Sequence, residues 1–340
     1  MRNRAEVMAA FLDRAGWGAA TRSLLAGDAS NRRYERLRLG DQRAVLMDAP
    51  AERGEDVRPF VAIARHLTAC GLSAPQILAK DPQAGLLLLE DLGDDVFARV
   101  LERAPQDEPM LYRAAVDALL ALHAAPLPGG VGAYDVALMT DKAALAYDWY
   151  LMGATGSVDT AALAAFRAET ETVLAPMMRE RQVLILRDYH AENLIWLPHR
   201  DGPARVGQLD FQDALIGHPA YDLVSLLKDA RRDLAPDTEE AALAGMIARS
   251  GADPDSFRAA YAVLGAQRNL RILGVFARLS LHFGKPHYVD LIPRVWSHLV
   301  TSLDHPSLAA LRDRVLSDLP APNPAILQTL KAKCATIDHP

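Results

Sequence analysis

Between residues 183 and 211 the apolar positions fall into three short runs, and each run borders polar side chains of a particular kind. Val183-Leu184-Ile185-Leu186 leads into Arg187-Asp188; Leu194-Ile195-Trp196-Leu197 follows Asn193; Val206-Gly207-Gln208-Leu209 ends at Asp210. The second and third runs read as strands joined by the turn-forming segment 198–204. Such a hairpin brings Asn193 and Asp210 to its open end. Other apolar patterns set the surroundings. Residues 34–39 and 43–47, separated by Gly40-Asp41-Gln42, alternate as a β-hairpin, and 86–90 is a further strand. Residues 27–33 form a turn-rich loop before the first of these strands. Over 56–69, Val57, Phe60, Val61, Ala64 and Leu67 share one helical face, closed by Gly71. The first ninety residues thus predict a small sheet with one helix.

After Gly93 the periodicity is mainly helical: 112–124, 159–180, 219–233, 239–250, 255–283 with a break, and 288–303. The only clear strands there surround the run at 183–211. A small β-rich lobe over 1–92 followed by a larger helical lobe over 93–340 is an α+β, protein-kinase-like bilobal plan, with nucleotide expected between the lobes.

Composition narrows the function. The chain has 340 residues, half of them apolar and 24% charged, and no uncharged apolar run of about 18 that could span a membrane. The start carries Glu6 and Asp13 in place of an export signal's apolar core. Two isolated cysteines, Cys70 and Cys334, make neither a disulfide framework nor a zinc site, which suits the cytoplasm. A net charge of −6 without a basic run argues against a nucleic-acid surface. No membrane or nucleic-acid partner is expected. A small molecule is, with a monomer as the working expectation.

The chemistry resides in the polar ends of the three runs. Asp188 can accept the proton of a substrate hydroxyl, and Asn193 and Asp210 offer hard oxygen ligands to Mg2+ bridging ATP phosphates. An Asp-x4-Asn spacing is common by chance. The leading strand, the hairpin and the second Asp in order give it meaning. His190, inside this loop, is expected to order it. No G-x4-G-K-[ST], G-x-S-x-G, H-E-x-x-H or C-x-x-C occurs, so a P-loop, a nucleophile elbow and the common zinc sites are excluded.

Leu186-Arg187-Asp188-Tyr189-His190-Ala191-Glu192-Asn193, Leu209-Asp210-Phe211, Gly217-His218-Pro219-Ala220-Tyr221-Asp222-Leu223, Ala121-Leu122-His123-Ala124 and Leu89-Glu90-Asp91-Leu92-Gly93 together resemble the aminoglycoside phosphotransferase family over nearly the whole chain. Within it, Ala29-Ser30-Asn31-Arg32-Arg33-Tyr34, the segment 45–50 and the segment 221–233 resemble the anomeric kinases of cell-wall sugar recycling, which phosphorylate N-acetylmuramate and N-acetylglucosamine with ATP. The resemblance implies Asp188 as base, Asn193 and Asp210 as Mg2+ ligands, main chain from Glu90 to Leu92 against adenine, and Ser30, Asn31 and Arg32 over the phosphates. Arg187, His190 and Arg231 are candidates for the acceptor side, and Asp222 for a carboxylate that buttresses the catalytic loop.

Two departures stand out. Relatives carry His-Gly before the catalytic Asp where this chain has Leu186-Arg187. The third strand, Val45-Leu46-Met47-Asp48, lacks the lysine that clamps the α- and β-phosphates, leaving Arg32, Arg33 or Arg36 to supply the charge. If none does, a nucleotide-binding pseudokinase is the alternative. Lys228, Arg231, Arg232, Arg268 and Arg271 on the expected acceptor side suit a neutral or acidic amino sugar better than a polycation. Each alone also fits a solvated helix face with partners such as Asp229 and Asp233. Aminoglycoside and choline- or homoserine-like acceptors remain open alternatives.

Overall fold

The runs expected to form the first hairpin do so, and they make the middle of a larger sheet. The computed structural model describes residues 3–25 and 32–338. It begins with α1 (Arg4–Arg14), β1 (Thr21–Leu25), β2 (Arg33–Leu39), β3 (Gln42–Asp48), α2 (Val57–Ala69), β4 (Ile77–Asp81) and β5 (Leu86–Glu90), followed by α3 (Phe97–Arg103) and α4 (Glu108–Ala124). The five strands are antiparallel in the order β1-β2-β3-β5-β4. The single helix expected beside this sheet is corrected to two. Met8, Phe11 and Leu12 of α1, on one helical face, are buried against Leu37, Ala44, Leu46, Leu86 and Leu88. An amphipathic helix this short is held by such burial more than by its own propensity.

The chain continues through α5 (Val136–Leu145), a π-helical stretch (Ala146–Leu151), α6 (Met152–Thr155), α7 (Thr160–Leu174) and β6 (Val183–Ile185). Next come β7 (Leu194–Trp196), β8 (Val206–Gln208), β9 (Leu215–Gly217), α8 (Ala220–Leu227), α9 (Pro236–Ser250), α10 (Pro254–Leu281), α11 (Ile292–Leu303), α12 (Ala309–Asp318) and α13 (Pro324–Ala332). These elements form two compact units, residues 1–128 with 191–214 and residues 129–190 with 215–340. The first unit takes back a hairpin made late in the sequence. Gln208 donates its amide to the Ser73 carbonyl at 2.7 Å, Ala98 donates to Ala191 at 3.0 Å, and the Phe60 and Phe211 rings lie 4.8 Å apart.

Several expected helices have different ends. The helix over 159–180 stops at Leu174, and a 3-10 turn (Ala175–Arg179) follows, in which Pro176 has no amide to donate to the preceding helical turn. The helix over 219–233 stops at Leu227: the Asp229 carboxylate accepts the Arg231 amide at 2.9 Å, a local turn that competes with helix. The segment 288–303 opens as a 3-10 turn (Pro286–Leu291) before α11. The break expected in 255–283 is absent, and α10 runs 28 residues unbroken. Its internal glycines serve packing. A Cβ on Gly274 would stand 2.2 Å from the Leu145 carbonyl carbon of α5, and one on Gly265 would stand 2.6 Å from Ser302 Oγ of α11. Cys70 and Cys334 are both free thiols, and no described helix is long and apolar enough to cross a membrane.

Candidate functional site

In the first unit, β7 and β8 pair as the alternation predicts, Leu194 opposite Gln208 and Trp196 opposite Val206. The ladder extends one step, since Leu209 donates its amide to the Asn193 carbonyl at 2.9 Å. Hairpin register therefore sets Asn193 across from the residue preceding Asp210. Asp210 leaves the strand with φ of 55°, a left-handed conformation that Asp tolerates better than most residues. Its side chain is 49% exposed, and Gln212 Nε2 donates to it at 2.8 Å.

Arg32 is the cation beside this carboxylate. Its Nε donates to Glu55 at 2.7 Å, while Nη1 lies 4.0 Å from Asp210 Oδ1. Burial opposes the Arg32 charge, yet the bond to Glu55 and the nearby Tyr34 raise its pKa on balance. Arg33 is paired with Glu35 at 3.0 Å and Arg36 with Asp91 and Asp94 at 2.8 Å. Of the three arginines proposed to replace the missing lysine, Arg32 is the one that approaches Asp210. Ser30 and Asn31 lie outside the described residues. Among the described residues no three His, Cys, Asp or Glu side chains gather as a closed metal cage. An amide oxygen and one carboxylate suit Mg2+, which keeps few protein ligands and takes the rest from phosphate and water.

Glu90 ends β5 in register with Ala44 of β3, and its amide donates to the Gln76 carbonyl at 2.8 Å. Its carboxylate pairs with Arg200 at 2.5 Å, and Arg200 also donates to Ser73 Oγ at 2.7 Å. Leu92 lies against Gly207, where an added Cβ would come within 3.1 Å of Leu92 Cδ1. The chain from Glu90 to Leu92 is thereby fixed by side chains, with its main chain belonging to a strand end.

In the second unit, β6 pairs with β9, Val183 opposite Gly217 and Ile185 opposite Leu215. Beyond β6 the chain kinks at Arg187, whose φ of 71° is the region glycine favours and is costly for a side chain. That conformation accounts for the glycine of the related pattern. Here the kink is held by Asp222, fully buried on α8, whose two carboxylate oxygens accept the amides of Leu186 at 2.6 Å and Arg187 at 2.8 Å. Ser225 Oγ donates to the Arg187 carbonyl at 3.1 Å. The Arg187 guanidinium sits over the Tyr134 ring, 5.7 Å from its centre. Burial pushes Asp222 up to about 7, against the two amide bonds and Arg268.

Asp188 follows the kink. Arg268 and Arg271 of α10 stand 3.9 and 4.0 Å from its Oδ1. Burial pushes its carboxyl upward, but Arg271, then Arg268, His190 and Arg187, outweigh that and hold it below the usual range. Asp188 is therefore ionised at neutral pH. Arg268 donates to Ser225 Oγ at 2.5 Å, so it braces the kink and the carboxylate together. Arg271 stays charged despite burial because Tyr221, Asp188 and Tyr134 face it. His190 is buried and pushed down to about 4 by desolvation, against Asp229, so it is neutral. Arg231 lies near it through its charge. Lys228 is committed to Glu239 at 2.6 Å and Asp233 to Arg294 at 2.7 Å, pairs that join this stretch to α9 and α11.

Sequence reasoning missed the Arg32 and Glu55 pair and the convergence of Arg268 and Arg271 on Asp188. Both join residues far apart in the chain, and the only local signal was the spare charge on apolar α10.

Comparison with known proteins gives the family. Residues 21–260 match the model of the phosphotransferase enzyme family abbreviated APH. The chain is 46% identical to the N-acetylmuramate/N-acetylglucosamine kinase of Caulobacter vibrioides, covering 91% of this chain and 95% of that one. It is 35% identical to the protein of the same name from Pseudomonas aeruginosa, over 90% and 91%. Among solved structures, the ADP-bound aminoglycoside phosphotransferase APH(2'')-Ib superposes with a TM-score of 0.58 at 14% identity, covering 91% of this chain and 99% of that one. That likeness establishes the protein-kinase-like fold. With the family model matching most of its length and relatives this similar along nearly all of it, the chain belongs to the phosphotransferase enzyme family.

Proposed function

We propose that this phosphotransferase is an ATP-dependent sugar kinase that phosphorylates the anomeric 1-hydroxyl of N-acetylmuramate and N-acetylglucosamine. The observation that carries the reading is 46% identity, over nearly the full length of both chains, to a kinase named for those two sugars. Asp188 orients the acceptor hydroxyl and takes its proton as the oxygen attacks the γ-phosphorus of ATP; the bond to the β,γ-bridging oxygen breaks and ADP leaves. An anomeric hydroxyl, acidified by the ring oxygen, suits a base whose own pKa is held low by Arg271 and Arg268. Asn193 and Asp210 hold Mg2+, which when bound offsets charge on the β- and γ-phosphate oxygens. Arg32 takes the phosphate-clamping part of the absent lysine, which favours catalysis over a scaffold role. The main chain of Glu90 to Leu92 meets adenine, and the protein acts in the cytoplasm in recycling cell-wall sugars.

The test is turnover of purified protein with ATP and Mg2+ against N-acetylmuramate, N-acetylglucosamine, kanamycin, choline and homoserine, with phosphorus NMR of the product. A sugar 1-phosphate from the N-acetyl sugars is expected. Turnover confined to kanamycin, choline or homoserine, or ATP binding without any turnover, rejects the reading.

A further inference from the structure

Two positive side chains in the second unit have no role in holding Asp188. Lys142 on α5 is half-buried and makes no hydrogen bond or ion pair among the described residues; burial and then Arg271, Arg187 and Arg278 depress its pKa, so it stands in the field of all three guanidinium groups. Arg278, two turns beyond Arg271 on α10, keeps a buried Nε with no hydrogen-bond partner among the described residues. Its guanidinium lies over the Phe283 ring, 6.0 Å from the centre.

Their juxtaposition is built by close helix packing. Arg271, Gly274 and Arg278 are spaced i, i+3, i+7 and so share one face of α10. Gly274 is where α5 touches that face, with room for no side chain against Leu145, and Lys142 lies one turn before Leu145. The glycine contact thus seats Lys142 alongside the two arginines. A helix rises ~1.5 Å per residue, so Arg278 is about 10 Å from Arg271 along α10. That matches a hexose with a three-carbon acid arm. On its far side from Asp188 and Lys142, neither of which lines it, Arg278 also borders a cavity of about 610 Å³ walled by Asp148, Trp149, Met152, Leu163 and Phe283, a size suited to a small ligand. Burial raises the pKa of Asp148, and its place in the cavity suits it to sugar hydroxyls more than to an acid arm.

We infer that Lys142 and Arg278 form the specificity site for the acid arm of the substrate, binding the lactyl carboxylate of N-acetylmuramate while its 1-hydroxyl faces Asp188. The inference rests on the sugar-kinase reading above and adds the residues that separate the acidic sugar from the neutral one. A carboxylate between two unpaired, partly desolvated cations gains charge-assisted bonds that water would otherwise weaken.

The experiment compares kcat/KM for the two sugars in wild type, Lys142→Met and Arg278→Gln, with Lys142→Arg as the charge-preserving control and thermal melting as the check on folding. Each neutral variant is expected to lose about ten- to a hundredfold in kcat/KM for N-acetylmuramate, mainly through KM, and far less for N-acetylglucosamine. Lys142→Arg should recover most of the loss. Equal losses on both sugars, or a fall in kcat with KM preserved, would overturn the inference, since the cations would then act on Asp188 and not on the acid arm. Wild-type turnover of N-acetylglucosamine alone also overturns it while sparing the kinase reading; turnover of neither sugar removes that reading itself.

Discussion

Asn193 and Asp210 in the first unit and Asp188 in the second are placed by different means. The first pair depends on backbone: strand register fixes Asn193 opposite Leu209, and Asp210 then turns out with half its side chain exposed. Asp188 depends on side chains: Asp222 ties the preceding amides, Ser225 and Arg268 brace the kink, and two arginines face the carboxylate. In the proposed mechanism a ligating group that must meet phosphate and metal is thus left open to them, and a base that must be ionised and aimed has charges beside it that set both properties.

If the contrast is right, substitutions in the second unit should damage chemistry and folding together, and those in the first should damage nucleotide use alone. The largest effect is expected from Asp188→Asn, which should lower kcat by about 10²–10⁴ with ATP affinity largely kept. Wild-type turnover in that variant would end the assignment of the base. Asp222→Ala strands the Leu186 and Arg187 amides inside the protein, and should destabilise it by about 2–5 kcal/mol in denaturant titrations while also lowering kcat. Undiminished stability would mean that the kink holds itself.

His190 sharpens the comparison through pH. Its folded pKa of about 4 lies below the ordinary 6.5, so the folded state binds fewer protons; its contribution is complete above about pH 6.5 and drains as pH falls towards 4. Asp222, raised from 3.8 to about 7, has the opposite slope, losing stability as pH rises through that window. Replacing His190 with Asn should remove up to about 3 kcal/mol of acid sensitivity between pH 7 and 4, measured as the difference in unfolding free energy. Parallel curves for variant and wild type would clear His190 of that role. The smallest effect is expected at Arg32. Arg32→Met should raise KM for ATP about tenfold with melting temperature little changed, whereas Arg33→Met should leave KM near its wild-type value. Equal effects at both positions would deny Arg32 the clamping role.

What could be read from the residues was what depends on neighbours in sequence. Alternation over 194–197 and 206–209 sufficed for the hairpin, and with it the juxtaposition of Asn193 and Asp210. The outer strands β1 and β4 escaped notice: Thr21–Leu25 is almost wholly exposed and has no buried face to alternate, and Ile77–Asp81 is interrupted by a bulge. The end of α8 at Leu227 depends on a turn made by Asp229, a residue equally at home in a helix. The fixing of Asp188 by Arg268 and Arg271, some 80 positions later, and of Arg32 by Glu55, is tertiary. No local pattern encodes such contacts, although two arginines on a long, largely buried helix signal that something must balance them.

The late return of residues 191–214 to the first unit also bears on how the protein is made. When the ribosome has delivered residues 1–128, the sheet and its helices exist without the strand that bridges Ser73, the ring that meets Phe60, or the carbonyl that receives the Ala98 amide. Domains tend to fold as they emerge, so this one must wait through another sixty-odd residues of synthesis with an open seam. The hairpin that closes the seam is the one carrying Asn193 and Asp210. Nascent chains arrested before residue 191 should therefore be protease-sensitive throughout their first unit, and completion of the fold and acquisition of the proposed Mg2+ ligands are a single event.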